Sequence, residues 1–296
     1  LGLNLADIQT RGPIREVDVR RFTETGMGKQ SDSASVTPRP QSRRDVDAGE
    51  PEFPGKIDPE FYAQIERDPG SFGALSSDFK VWLYKKHGAA IGSNVKIGKG
   101  SVLVAQFIEL GDDTVLEERV EARCRRFSFG QLGTVGSGCR FICRDFVAGD
   151  VVALRWNVAV VDGQGGVHDC RIGDLSFVAY DTYLNTDRDV TLGERVCLAP
   201  GVRLYTHRKW LDVTDGYPFA YAPVVISNGC WLGSGAVVLP GVTLSEEVTL
   251  MANSVAANNA PAGALVGGVP AKVIVRRQKT DLDPDRRAQV LIEVLG

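Results

Sequence analysis

Five aliphatic residues, Ile226, Leu232, Val238, Leu244 and Leu250, fall at an unbroken six-residue interval. An amphipathic helix buries positions three and four apart and a half-buried strand buries alternate positions, so a period of six fits neither. It suits a coil with three short flat sides, each contributing one inward aliphatic, in which every coil stacks on the next through parallel-strand hydrogen bonds about 4.8 Å apart. The following residue is often glycine, as in Ile97-Gly98, Leu110-Gly111 and Val135-Gly136, near corners where a larger side chain is penalised. Glycine is enriched accordingly, 33 of 296 residues or 11%, against about 7% on average. The repeat opens at Ile91, slips, and resumes at Leu110. It returns at Val135, Ile172, Val178 and Leu184 and continues through Leu192, Leu198 and Leu204. Between Phe127 and Val135, and between Val152 and Val167, it is ragged, and Gly163-Gln164-Gly165-Gly166 reads as a corner or small excursion.

The rest divides by texture. Residues 1–55 are read as a tail or linker, largely disordered, because Thr25 to Pro54 is rich in Ser, Pro, Gly, Asp and Arg without periodicity. Residues 56–90 carry apolar residues at helical spacing, with Asp58-Pro59 as N-cap and first turn and Gly88 after His87 as the closing glycine. Residues 91–280 hold the solenoid. Residues 281–296 read as an amphipathic helix bearing Val290, Leu291, Val294 and Leu295. The missing initiator Met suggests a piece of a longer chain. With 34 basic and 37 acidic residues the net charge is -3, which gives no general attraction to nucleic acid or an anionic membrane. No run of about 18 apolar residues exists, and Leu1 to Thr10 lack signal-peptide layout. The six cysteines match no zinc or disulfide spacing, so packed, reduced thiols in a cytoplasmic protein are expected. Cys139 and Cys230 hold the fifth place of their hexapeptides, where a small buried side chain fits.

Three histidines are present. His87 ends a helix and suits its dipole. His168 lies beside a glycine-rich corner and reads as a satisfied polar residue. His207 differs: the regular coil runs to Tyr205, breaks at Thr206-His207-Arg208-Lys209-Trp210, and resumes at Val224. An insertion cannot enter a packed solenoid core and must project from a corner. The aromatic-rich segment can then wall a cleft against a neighbouring solenoid, or simply leave a solvated histidine on a surface loop.

The hexapeptides, the Val202-to-His207 stretch followed by a loop and APVVISNGCWLGSGAVVLPGVTL, and the closing Gly267-Gly268-Val269-Pro270-Ala271-Lys272 resemble the hexapeptide-repeat acyltransferases over roughly residues 88–278. Sugar O-acetyltransferases and serine and xenobiotic acetyltransferases are the nearest members. The resemblance implies an all-β solenoid, a left-handed parallel β-helix; general rules of crossover handedness alone favour the opposite hand. It implies an acyltransferase using acetyl-CoA as co-substrate, without metal, on a sugar or other small hydroxyl or amine acceptor. His207 would be the general base, Asn185 would hold the acceptor, and Ser234 would offer a donor to the developing oxyanion. Coenzyme A would lie between two subunits of a homotrimer, its pantetheine passing Gly235, Ala252 and Ser254 and its phosphates meeting Lys272, Arg276 and Arg277. Many relatives carry a Thr-Lys pair where this chain has Asn258-Asn259, which leaves room for an acyl-carrier-protein donor. Two other readings share the solenoid. A γ-type carbonic anhydrase needs three clustered zinc histidines, which the three here do not supply by spacing. A trimerising scaffold needs no chemistry at all. A sugar nucleotidyltransferase would need an α/β domain for which residues 1–90 have no room.

Overall fold

The computed structural model describes residues 53–163, 168–209 and 219–276. Residues 1–52, 164–167, 210–218 and 277–296 lie outside the described residues, and with them the expected tail, part of the glycine-rich corner, most of the expected insertion, Arg277 and the expected C-terminal helix.

Three short helices precede the solenoid: α1 (Pro59–Arg67), α2 (Pro69–Gly73) and α3 (Ser77–Lys86). Asp58 caps α1, its Oδ1 accepting from the backbone of Glu60 at 2.8 Å and Phe61 at 3.0 Å, with Pro59 in the first turn. After α3, His87 stacks on Phe61 with centroids 4.1 Å apart, and Gly88 takes φ +104° in the left-handed region glycine tolerates. Buried residues of α3 fasten the helices to the first coil. Lys80 Nζ donates to the carbonyls of Gly98 at 2.6 Å and Ser101 at 3.1 Å. The Tyr84 hydroxyl donates to Leu103 O at 3.0 Å and accepts from Leu103 N at 2.8 Å.

From Ala90 the chain winds into a left-handed parallel β-helix of about 9 turns. One sheet of ten strands forms a single face; the fourteen-stranded sheet wraps the other two, because Val102–Leu110 and Glu121–Phe129 run unbroken round the corner between them. Face one stacks Leu110, Phe129, Ala148, Ile172, Leu192, Ile226 and Leu244 inward. Face two stacks Ile97, Leu116, Val135, Leu154, Val178, Leu198, Leu232 and Leu250. Face three stacks Leu103, Ala122, Phe141, Val160, Leu184, Leu204, Val238 and Ala256. None of these is more than 3% exposed, so the ladders form one continuous apolar core, the main favourable term in folding.

The period has an unequal geometry. From face one to face two, and from face two to face three, the step is always six residues. Left-handed backbone marks both of these corners. Asn94, Asp113, Leu132, Val151, Leu175 and Arg195 line corner one at φ 53–58°. Arg119, Asn157, Asp181 and Asn253 with Gly100, Gly138, Gly201 and Gly235 line corner two. Corner three, between face three and face one, takes all the variation. It spans seven residues from Leu103 to Leu110, from Ala122 to Phe129 and from Phe141 to Ala148, twelve from Val160 to Ile172, and six only from Val238 to Leu244. The early coils therefore have nineteen residues, which accounts for the slip in the repeat.

The two segments that look ragged in sequence keep their place in the stack, although corner three lengthens beside both, to seven residues before Phe129 and to twelve after Val160. Phe127 to Val135 is a regular coil whose inward positions are aromatic rather than aliphatic, Phe127 and Phe129 being buried. Ala153–Leu154 and Ala159–Val161 likewise hold register on both neighbours. The chain also joins the solenoid earlier than residue 56: Ile108 N donates to Gly55 O at 2.9 Å, and the Phe53 ring packs edge-on against Phe107. All six cysteines are free thiols, five of them buried. Burial pushes the Cys139 thiol up to about 12 and the Cys230 thiol up to about 11, as expected of packed, unreactive sulfur.

Candidate active site

Corner three gathers the polar residues. Tyr183–Asn185 lies parallel to Arg203–Leu204, which brings Asn185 beside Thr206 and His207. His207–Lys209 then leaves the coil and pairs antiparallel with Phe219–Tyr221, His207 opposite Tyr221. The base of the insertion is thus a small two-stranded ribbon that fixes the histidine backbone.

The imidazole is held from one side. His207 Nδ1 lies 2.5 Å from Asp187 Oδ2 and 2.9 Å from Asn185 Oδ1. The Asp187 side chain is 4% exposed, with Oδ1 accepting from Gly163 N at 2.8 Å and Oδ2 from Asn185 Nδ2 at 3.0 Å. That last bond orients the amide, leaving Asn185 Oδ1 to accept from Thr206 Oγ1 at 2.7 Å and Thr206 N at 3.2 Å. Thr206 Oγ1 in turn accepts from Arg188 N at 3.0 Å. A carboxylate and an amide oxygen can only accept from the ring, so this arrangement places a proton on Nδ1. Of the three side chains the structure groups here, sequence reasoning named His207 and Asn185 and did not name Asp187. The signal was available in Asn185-Thr186-Asp187, a carboxylate two residues from the asparagine on the same corner.

A second histidine is fully engaged nearby. His168 Nδ1 lies 3.4 Å from Asp189 Oδ1, and Nε2 faces Arg188 Nη1 at 3.2 Å. Arg188 also donates to Asp187 O at 2.6 Å and lies over the Tyr221 ring, 4.6 Å from its centroid. Further along the corner, Asp169 (side chain 9% exposed) bridges Arg144 Nε at 2.7 Å and Arg171 Nη2 at 2.9 Å. Burial works against its charge, but the bonds and field of Arg144 and Arg171 outweigh it and hold the carboxyl below the usual range. A depressed folded value contributes stability that is present above the unfolded pKa and lost as pH falls through the folded one. Asp169→Asn is expected to lower stability at pH 7 by about 1.5–3 kcal/mol. The gap from wild type should close as pH drops below the ordinary carboxylate range. Urea midpoints measured from pH 7 to pH 3 test this, and a gap that stays constant with pH would contradict it.

His207 also lines an open cleft of about 600 Å³ on the outer surface of face three, together with Asn157, Ala159, Asp181, Thr182, Tyr183, Arg203 and Tyr205. The remaining expected residues stand elsewhere in the chain. Ser234, Gly235 and Ala252 share corner two, Ser234 O accepting from Asn253 N at 2.9 Å and Gly235 at φ +67°. They are not brought to His207 within one chain. Ser254 is 2% exposed and its Oγ accepts from Gly268 N at 3.0 Å, so it anchors the terminal hairpin, Ala264–Gly268 with Ala271–Arg276. Lys272 is exposed on that hairpin, Arg276 is its last residue, and Arg277 lies outside the described residues. Asn259, at the departure from the Thr-Lys pair, accepts from Thr243 N at 2.8 Å and steadies the last coil. Among the described residues no group of three His, Cys, Asp or Glu side chains can hold a metal ion, so the three-histidine zinc arrangement is not formed. No described helix is long and apolar enough to cross a membrane.

A stacked three-sided β-helix with an oriented imidazole at the mouth of a cleft defines a class of protein, and comparison with known sequences narrows it. No family model matches the chain. A putative acetyltransferase of Schizosaccharomyces pombe is 31% identical over 176 residues, covering 53% of this chain and 83% of that protein. The galactoside O-acetyltransferase of Escherichia coli K12 is 31% identical over 117 residues, 38% of this chain and 55% of that one. The chain thus spans little more than half the length of the Escherichia coli relative. Among solved structures, a hexapeptide-repeat acetyltransferase from Vibrio cholerae aligns with TM-score 0.39 and 18% identity over 76% of this chain and 97% of that one. The chain belongs to the hexapeptide-repeat acetyltransferases.

Proposed function

We propose that this protein transfers an acetyl group from acetyl-CoA to a hydroxyl or amine of a sugar or similar small acceptor, with His207 as general base. The observation that carries the reading is the imidazole itself: Nδ1 is fixed against a buried carboxylate while the ring lines an open cleft. The acetyltransferase names of the relatives support the reaction type. Nε2 takes the acceptor proton as its oxygen or nitrogen attacks the thioester carbon. The tetrahedral adduct collapses by breaking the C–S bond, and the proton on Nε2 passes to the departing thiolate. Asp187 holds the tautomer and stabilises the transient imidazolium, the part a carboxylate plays in a Ser-His-Asp triad. Asn185 orients Asp187 and His207 together.

The donor and its neighbours follow from the same reading. Ser234, Gly235 and Ala252 at corner two and Lys272 on the terminal hairpin serve a coenzyme A groove completed by a second subunit of a homotrimer. In it corner two of one copy faces corner three of the next, and Arg276 and Arg277 extend the phosphate contacts. Ser254 drops out of that set because it is buried, 2% exposed, with its Oγ against Gly268 N of the terminal hairpin.

Incubation with acetyl-CoA and a panel of hydroxyl and amine acceptors should release thiol only when an acceptor is present, with an acetylated product found by mass spectrometry. Thiol release independent of every acceptor, or none at all, would remove the proposal.

A further inference from the structure

The cleft beside His207 contains a positive charge that no carboxylate pairs with among the described residues. Arg203 is exposed and lines the cleft with Asp181, Tyr183, Tyr205 and His207. Several other arginines of the solenoid are tied to carboxylates: Arg123 to Glu121 at 2.7 Å, Arg126 to Glu109 at 2.9 Å, and Arg144 and Arg171 to Asp169, while Arg188 is engaged by His168 and the Asp187 carbonyl. Among the described residues Arg203 has no carboxylate within 4.0 Å, and neither has Arg140. The two occupy one outward row of face three, in register Arg140, Ala159, Tyr183, Arg203. Ala159 and Tyr183 lie between the two arginines in that row. The Asp181 carboxylate in the cleft is engaged by Asn157 Nδ2 at 3.2 Å, and the Tyr183 and Tyr205 rings, 5.7 Å apart, supply an apolar surface.

We infer that the acceptor carries an anionic group, a carboxylate or a phosphate, which Arg203 binds while a hydroxyl or amine of the same molecule meets Nε2 of His207. This rests on the acetyl-transfer reading and sharpens its substrate class to sugar acids or phosphorylated sugars. A guanidinium presents two parallel N–H groups that match either anion. Tyr183 and Tyr205 take the ring face, and Asp181 accepts from a ring hydroxyl. Arg203 therefore sets specificity and has no part in proton transfer.

The test compares hexoses with the matching hexuronates and hexose 6-phosphates at saturating acetyl-CoA, by thiol release. An anionic member of a matched set should have kcat/KM about 10- to 100-fold above its neutral counterpart. Arg203→Gln should abolish most of that ratio through acceptor KM, and Arg203→Lys should restore part of it. Equal use of neutral and charged members by wild type, or an unchanged ratio in Arg203→Gln, overturns the inference. The donor also carries phosphate, so the series is repeated with 3′-dephospho-acetyl-CoA. If the Arg203→Gln penalty falls on acetyl-CoA KM and vanishes with the dephospho donor, Arg203 reads the donor and the inference is lost. Turnover confined to neutral acceptors removes this inference alone, whereas no acceptor-dependent turnover with any hydroxyl or amine removes the acetyl-transfer reading as well.

Discussion

His207→Ala is expected to lower kcat for acetyl transfer by about 10²- to 10⁴-fold, the range a positioned general base contributes. Its fold should be intact, because the ring sits on the ribbon at the base of the insertion and not in the ladders of the core. Asp187→Asn should fall between wild type and His207→Ala. An amide at that position can offer N–H where the carboxylate accepted, so the ring loses its fixed tautomer while the cleft keeps its shape. The decisive comparison is kinetic: circular dichroism and melting temperature near wild type for His207→Ala, with turnover nearly gone. Full activity in His207→Ala would show that the imidazole is not the base, whatever the fate of Asp187.

The largest effect on stability is expected from the aromatic cluster inside the early coils. Phe127 is fully buried, with ring centroids of Phe129, Phe141 and Phe146 at 5.5, 5.2 and 5.6 Å. These rings fill the space that the seven-residue corner opens inside coils whose other corners keep the shorter step. Phe127→Ala should cost about 3–5 kcal/mol, because the stacked backbone on both sides limits collapse around the cavity. Equilibrium denaturation would register it as a lower midpoint at an unchanged slope. A cost below about 1 kcal/mol would mean that the coil repacks freely, against the usual behaviour of close-packed interiors.

The six-residue period was legible because faces one to three are separated by six residues in every coil, from Ile91-Ile97-Leu103 to Leu244-Leu250-Ala256. It blurred wherever the third corner lengthened or an aromatic took an aliphatic's place, as at Phe129 and Phe141. At the site, His207 stood out because it lies at the break between two clean runs, Leu192 to Leu204 and Ile226 to Leu250. Asp187 was hidden for the opposite reason. It lies within an eight-residue passage from Leu184 to Leu192, too short to look like an insertion, and only the stacking of adjacent coils brings it 2.5 Å from a residue twenty positions later. Ser254 misled because a small polar residue near a corner has the same appearance in sequence whether it faces a ligand or, as here, a backbone amide of the next turn.

The unequal corners also bear on how such a molecule can change over time. Two edges keep fixed length and set the rise and hand of the rod, while the third has accepted one extra residue, a short excursion and a long insertion without disturbing the ladders on either side. New recognition surfaces can therefore be tried along a single ridge, next to the His207 imidazole, while the framework that carries them stays the same.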